Sequence, residues 1–434
     1  MAFICMTMLL AGTSSAEPAG YTTSVASSGD VSWILVSSVL VFAMVPGVAF
    51  FYGGMLRKQS MTATMAQCLI ATGIMTLSWI ICGYTLAFGS DGFWIGNLDR
   101  LFLNGVLEDA SGGAVSELQF AMFQMMFALV TACVVIGACA ERVRFTAMAW
   151  FLVLWGILVY SPMAHWVWGG GFFDQLFVVR DFAGGTVVHI CAGMTGLAIA
   201  MFVGPRIETV RKSRAHSIPF TFLGAMLLWV GWFGFNGGSG LMANGQTVHV
   251  CFVTMVAGAS GLVTWALCQY LLTGKVGTLG LITGGITGLV AITPGCAYVS
   301  ALASVPIGII GAALCFCMVR MIHSRVRFDD ALDVFGVHGI GGIWGAIAVG
   351  LFAESQYTGT MEGGIFSPGP CGILFGEMDL LVGQTASVMI TLVFCFAASY
   401  AIVWALSRFM TVRVDEATER IGQDIVEHGE PSYE

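Results

Sequence analysis

Between residues 32 and 410 the chain passes eleven times through about 20 predominantly apolar residues, the length at which an α-helix spans the hydrocarbon core of a bilayer. The runs lie at approximately 32–55, 61–88, 117–140, 145–167, 184–204, 218–240, 247–272, 277–293, 299–322, 334–353 and 384–410, the eighth of them rich in glycine. They predict an all-α integral membrane protein with eleven transmembrane helices. Only 10% of the 434 residues are charged and 57% are apolar, too little charge to cover a globular surface of this size. The net charge of −8 provides no basic footprint for nucleic acid. Most of the 13 cysteines fall inside the apolar runs without CxxC spacing, so they read as small hydrophobes and not as a disulfide framework or a metal site.

The first residues, MAFICMTMLLAGTSSAEPAG, place an apolar core before Ser14-Ser15-Ala16 and Glu17-Pro18. This is the pattern of a signal peptide cleaved after Ala16, although residues 1–10 carry no Lys or Arg. The chain is expected to divide into a signal peptide at 1–16, a membrane domain at 17–410 and a cytoplasmic regulatory tail at 411–434. All 17 Lys and Arg residues except Arg100 and Arg180 follow the odd-numbered runs. By the positive-inside rule the N-terminus is then outside and the tail inside. The long loops 89–116 and 354–383, acidic and Gly-rich, fall on the outer side.

The frame V-H-x-x-x-G-x-x-G occurs twice, at Val188–Gly196 in the fifth run and at Val337–Gly345 in the tenth. Phe51-Tyr52-Gly53-Gly54 and Phe235-Asn236-Gly237-Gly238 form a second matched pair near the ends of runs one and six. Two five-helix repeats plus a final helix follow from this, and because five is odd the second repeat is inverted in the bilayer. Inverted repeats place the functional path at their interface. His189 lies roughly 12 Å beyond Asp181 along one helix, and His338 roughly 16 Å beyond Arg327 from the opposite face, so both rings are expected near the midplane. The glycines after each histidine allow close helix approach, enough for the rings to touch.

A single buried histidine is ordinarily a satisfied structural residue, but ionisable groups within a membrane lean towards function. Two at equivalent depth satisfy one another, one ring donating and the other accepting. His189 and His338 are therefore expected to line a path together. His165 and His249, near outer ends, and His216, His323 and His428, in cytoplasmic segments, have no such relation. A haem or metal site is disfavoured because no carboxylate or ordered cysteine cluster accompanies the pair.

The outer end of this path is aromatic: His165-Trp166-Val167-Trp168-Gly169-Gly170-Gly171, Phe123-Gln124-Met125-Met126-Phe127 and Trp232-Phe233-Gly234-Phe235-Asn236-Gly237-Gly238-Ser239. An indole face beside a hydroxyl attracts a small N–H cation by about 0.5–2 kcal/mol. That collects an ion without carrying it through oil, where desolvating an ammonium-sized ion costs about 20 kcal/mol in the idealised limit. Deprotonating a lysine-like ammonium at neutral pH costs only about 4–5 kcal/mol. Such a path favours a permeant that can shed a proton and rejects potassium. Trp166, Trp94 and Phe172 read as interfacial belt residues. Asp181 reads as the N-cap of the fifth helix, its charge offsetting the positive helix end.

The motifs AERVRF (140–145), HWVWGGG (165–171), DFAGGTVVH (181–189), GWFGFNGGS (231–239), AITP (291–294) and DVFGVHG (333–339) closely resemble those of the Amt/Mep/Rh ammonium transporters, bacterial Amt branch. The resemblance runs from about Pro46 to the C-terminus. It implies a transporter and not an enzyme, with no cofactor, acting on ammonium and ammonia (methylammonium as analogue) in the bacterial inner membrane. It further implies that Trp168, Ser239 and Phe127 form an external recruitment site, that Phe127 and Phe235 form a phenyl gate, that His189 and His338 are the twin histidines, and that Asp181 supports the outer site. Ammonium would lose its proton and cross as ammonia, with net charge movement. The family assembles as a homotrimer with one pore per subunit. The tail VRVDEATERIGQDIVEHGEPSYE resembles the segment that docks PII-type signal proteins, except that Gly422-Gln423-Asp424 stands where Gly-Leu-Asp is usual, which weakens one apolar contact. Cys191 stands where relatives often have Asn.

Overall fold

The computed structural model describes residues 27–433 apart from 91, 108–114, 326–327 and 363–364. The expected signal peptide at 1–16 lies outside the described residues. Among the described residues, ten helices are long and apolar enough to cross a membrane: α1 (Ser28–Met55), α2 (Lys58–Phe88), α3 (Glu117–Ala138), α4 (Phe145–Leu176), α5 (Gly185–Val203), α6 (Ile218–Gly238), α7 (Gly245–Thr273), α9 (Ala301–Ser324), α10 (Phe335–Phe352) and α11 (Asp379–Leu406). The Gly-rich eighth run forms the shorter apolar helix α8 (Thr278–Ile292), of 15 residues.

Two elements depart from the apolar runs. Helix α4 breaks at Gly169–Gly171 and resumes at Phe172–Leu176, which leaves Trp168 at the end of its main body. Helix α11 starts at Asp379, ahead of the expected position 384, because an acidic residue is favourable at the positive end of a helix, and it stops at Leu406. The all-α expectation has one small exception, an antiparallel hairpin of β1 (Thr360–Glu362) and β2 (Ile365–Ser367) in which Thr360 faces Ser367. Polar side chains start several helices by satisfying free N–H groups. Ser116 Oγ accepts from Gln119 N–H of α3 (3.1 Å), Ser217 Oγ from Phe220 N–H of α6 (3.3 Å), and Asn244 Oδ1 from Thr247 N–H of α7 (3.1 Å).

The first helices of the two repeats, α1 and α6, lie against each other, as do the last, α5 and α10. Small residues set the second crossing. A Cβ on Gly193 of α5 would fall 2.5 Å from the Gly339 backbone N, and one on Gly342 of α10 would fall 2.9 Å from the Gly185 carbonyl. As α10 advances from 339 to 342, its partner on α5 retreats from 193 to 185. The two helices therefore run in opposite directions, as inverted repeats require.

At the end of the bundle that carries the C-terminal tail, a set of buried charges joins four connections. Arg206 reaches Asp329 (2.8 Å) and Glu141 (3.0 Å), and Arg57 reaches Glu141 (2.8 Å). Arg142, fully buried, donates to the carbonyls of Asp329 (2.8 Å), Gly204 (2.6 Å) and Ala138. The tail helix α12 (Glu416–Ile421) locks onto this cluster. The buried Glu419 carboxylate accepts from Ile207 N–H (2.5 Å) and Arg413 (2.8 Å), while Arg57 donates to the Glu419 carbonyl (2.7 Å). Gln423, expected to weaken an apolar contact, is buried and donates Nε2–H to the Val143 carbonyl at 2.9 Å, so its amide has a partner.

Candidate functional site

Asp181 precedes α5 and is 6% exposed. Its carboxylate accepts from the N–H groups of Gly184 (2.8 Å), Gly185 (2.8 Å) and Thr186 (2.7 Å), which satisfies the donors a helix start leaves free. The turn is possible because Gly184 takes φ of 107°, a left-handed value that costs a side-chain-bearing residue energy. The Asp181 carbonyl in turn accepts from Trp168 Nε1–H (2.8 Å), fixing the indole beside the helix start.

These residues wall an open vestibule of about 300 Å3 that includes Trp168, Phe127, Ser239, Asp181, Arg180, Asp174 and Gln124. The Ser239 hydroxyl donates to the Phe235 carbonyl (2.8 Å), which leaves its oxygen, on the vestibule wall, as an acceptor. Trp168 meets Phe127 edge-on with centroids 6.0 Å apart. An indole, a phenyl ring and a hydroxyl acceptor thus share this wall.

The vestibule ends at two buried rings. Phe127 belongs to it and Phe235 belongs to the constriction beyond; their centroids are 4.2 Å apart at 32°. Past them lies a cavity of only about 20 Å3, near the room of a single water, walled by apolar side chains and by His189, His338 and Trp232. The imidazoles of His189 and His338 approach Nδ1 to Nδ1 at 3.1 Å with centroids 5.2 Å apart. Such a bond needs one N–H and one lone pair, so at most one of the rings carries a second proton. Among the described residues, the buried His189 Nε2 has no hydrogen-bond partner, and it lies in the wall of the cavity. Each histidine sits in a π-helical turn, Gly185–Ile190 and Phe335–Gly339, a local widening that recurs at functional positions.

Every sequence-predicted site residue is in this column: Trp168, Ser239 and Asp181 at the vestibule, Phe127 and Phe235 at the partition, His189 and His338 in the constriction. Three contributors escaped sequence reasoning. Trp232 stacks on His189 at 5.6 Å and is anchored by Nε1–H to Thr293 Oγ1 (2.9 Å). Tyr52 lines the constriction and donates its hydroxyl to the Val134 carbonyl (3.0 Å). Asp330 caps α10 as Asp181 caps α5, accepting from Val334 (2.9 Å), Phe335 (2.8 Å) and Gly336 (3.1 Å) N–H groups. Its signal was present, since an aspartate stands eight residues before each histidine of the repeated frame. The remaining histidines with polar partners are tied to backbone or surface groups, as His165 is to the carbonyls of Ala87 (3.0 Å) and Gly92 (2.7 Å). Among the described residues no group of three or more His, Cys, Asp or Glu side chains forms a metal cage. Cys191 is buried against Cys395, and nothing in the structure explains its place beside the histidine.

A multi-pass helical membrane protein whose inverted halves meet around a narrow apolar passage, with an aromatic-walled vestibule at one mouth, belongs to the class of membrane transporters and channels. Residues 32–433 match the model of the Ammonium Transporter Family. The ammonium transporter of Bacillus subtilis is 41% identical over 408 residues, covering 94% of this chain and 98% of that protein. The crystal structure of Candida albicans Mep2 superposes with a TM-score of 0.83 at 35% identity, covering 90% of this chain and 87% of that one. A structure described as a Sensor Amt Protein superposes with a TM-score of 0.82 at 28% identity over 92% of this chain and 98% of its own. The chain belongs to the ammonium transporter family.

Proposed function

We propose that this ammonium transporter recruits ammonium outside the cell at Trp168, Ser239 and Phe127, passes it through the Phe127 and Phe235 gate, and conducts it past His189 and His338 as ammonia. One ammonium N–H bond breaks at the mouth of the constriction; neutral ammonia crosses, and the proton travels separately to the same side, so that charge moves. The single observation that carries the reading is the bonded imidazole pair with its open Nε2 in an otherwise apolar passage. A cation that keeps its charge loses hydration there with nothing to replace it, whereas ammonia needs only one or two hydrogen-bond partners.

The same reading places the N-terminus outside and residues 411–434 in the cytoplasm, with eleven spans, in a bacterial inner membrane, after cleavage of residues 1–16. It includes a homotrimer with one path per subunit. It also includes docking of a PII-type signal protein at the tail, which supports such a role by being locked onto the connections between spans. An ammonium pulse applied to proteoliposomes on a supported membrane is expected to produce a transient current. His189→Ala with His338→Ala is expected to admit potassium. A silent wild type, or a double variant that still rejects potassium, refutes the mechanism. The likeness to a Sensor Amt Protein motivates a second reading, a sensor with little flux. Cellular uptake of methylammonium separates the two, since a pure sensor accumulates none.

A further inference from the structure

The vestibule that would collect a cation also carries a fixed positive charge. Three charged side chains line it: Asp174, Arg180 and Asp181. The Asp181 carboxylate is spent on three N–H groups at the start of α5, whose positive helix end offsets its charge. Asp174, on the short segment Phe172–Leu176, is exposed to solvent.

Arg180 is held in place by its main chain. Its N–H donates to Gln384 Oε1 (2.9 Å) and its carbonyl accepts from Gln384 Nε2–H (3.0 Å), so one side chain of α11 grips the residue front and back. The guanidinium folds back to donate Nη1–H to the Val179 carbonyl at 3.1 Å. Among the described residues, no carboxylate lies within 4.0 Å of it, although two line the same cavity. Arg100, the other basic residue expected at this end, is by contrast paired with Glu117 at 2.9 Å. A guanidinium cannot lose its proton in a protein. Low-dielectric walls concentrate its field inside a concave site.

We propose that Arg180 sets the affinity of the vestibule: its charge opposes ammonium and raises the concentration at which the path half-saturates, while Asp174 acts in the opposite sense. The proposal rests on the reading of this vestibule as the recruitment site. Arg180 touches no transported species; it acts through space, so its effect belongs to half-saturation and not to the maximal rate, and salt screens it.

The test is the ammonium dependence of the transient current for wild type, Arg180→Gln, Arg180→Lys and Asp174→Asn in about 0.01 M and about 0.3 M sodium chloride. Arg180→Gln is expected to lower the half-saturating concentration about three- to tenfold in low salt and less than about twofold in high salt, with the maximal current unchanged. Arg180→Lys should match wild type, and Asp174→Asn should raise half-saturation about twofold in low salt. The Gln384 clamp uses only backbone groups of residue 180, so these substitutions leave it intact. A normal wild type with Arg180→Gln unchanged, or shifted equally at both salt concentrations, overturns the proposal alone. A wild type with no saturable response to ammonium overturns the recruitment reading beneath it.

Discussion

Asp181 and Asp330 each stand eight residues before a histidine of the constriction, and each gives both carboxylate oxygens to three N–H groups at a helix start. Around Asp181 the protein is open: a vestibule, an indole, a hydroxyl and an arginine that, among the described residues, meets no carboxylate within 4.0 Å. Around Asp330 it is closed, with Arg142, Arg206, Glu141 and Asp329 in a buried network onto which the tail is fastened. The duplicated part is the local scaffold that aims a histidine into the constriction. The divergent part is what each mouth does, one receiving solvent and the other coupled to the tail. Capping is a local interaction that survives inversion, whereas the surroundings are built from connections that differ between the halves.

The strongest way to break this comparison is to remove the caps. Asp181→Ala and Asp330→Ala each orphan three buried N–H groups, and each is expected to cost about 3–6 kcal/mol, read as a fall in the melting temperature of the detergent-solubilised protein. Asn at either position keeps an acceptor and should cost less. If the aspartates differ only in setting, the two Asn variants lose similar stability, and only Asp181→Asn also alters the ammonium dependence of the current. A large stability difference between the two Ala variants would show that the halves are not equivalent scaffolds.

The closed mouth can be opened selectively. Glu419→Ala removes the acceptor of the Ile207 N–H and the partner of Arg413 at a buried carboxylate, and losing these hydrogen bonds is expected to cost about 3 kcal/mol. Limited proteolysis should then cut residues 411–433 readily while half-saturation for ammonium stays put, because the vestibule is untouched. At the centre, the two frames are predicted to respond unequally. Gly193→Ala drives a methyl into the Gly339 backbone, which cannot move aside, and is expected to cost up to about 3 kcal/mol and to part the imidazoles. Gly342→Ala meets the Gly185 carbonyl at 2.9 Å and the His189 Cβ at 3.0 Å, a lesser overlap that should be milder on both melting temperature and current. Equal effects would mean that the crossing has slack on both sides.

The helices, their inverted relation and the histidine pair of the constriction were legible because each rests on a periodic or repeated signal: apolar length for α1–α11, and the V-H-x-x-x-G-x-x-G frame for the histidines. Asp330 was hidden behind a weaker signal, since Asp329 and Asp333 flank it and only the eight-residue spacing singles it out. Trp232 is one aromatic among many in an apolar run, and its stacking on His189 joins side chains from two different helices, which leaves no mark in either segment alone. The tail-end network was invisible because its paired charges come from connections 65 to 187 residues apart. The partner of Gln423 was hidden for a related reason, since the carbonyl it binds belongs to Val143.

The smallest expected effect separates the two mouths by pH. Burial alone would raise the Asp329 carboxyl, but the hydrogen bonds and charge of Arg206, with Arg142 behind it, override burial and hold it at about 2, below the ordinary 3.8. A lowered carboxyl contributes stability that is complete above 3.8 and disappears as pH falls through about 2. The difference amounts to about 2 kcal/mol, so the melting temperature of wild type should drop between about pH 4 and about pH 2, and Asp329→Asn should flatten part of that drop while lowering stability at pH 5. The vestibule mouth offers the control: Arg100 and Glu117 form a pair that is 35% and 28% exposed, so Glu117→Gln is expected to change stability by less than about 1 kcal/mol. If Glu117→Gln proved as costly as Asp329→Asn, the open mouth would be fastened by charge as firmly as the closed one, and the contrast between them would have to be sought in the tail alone.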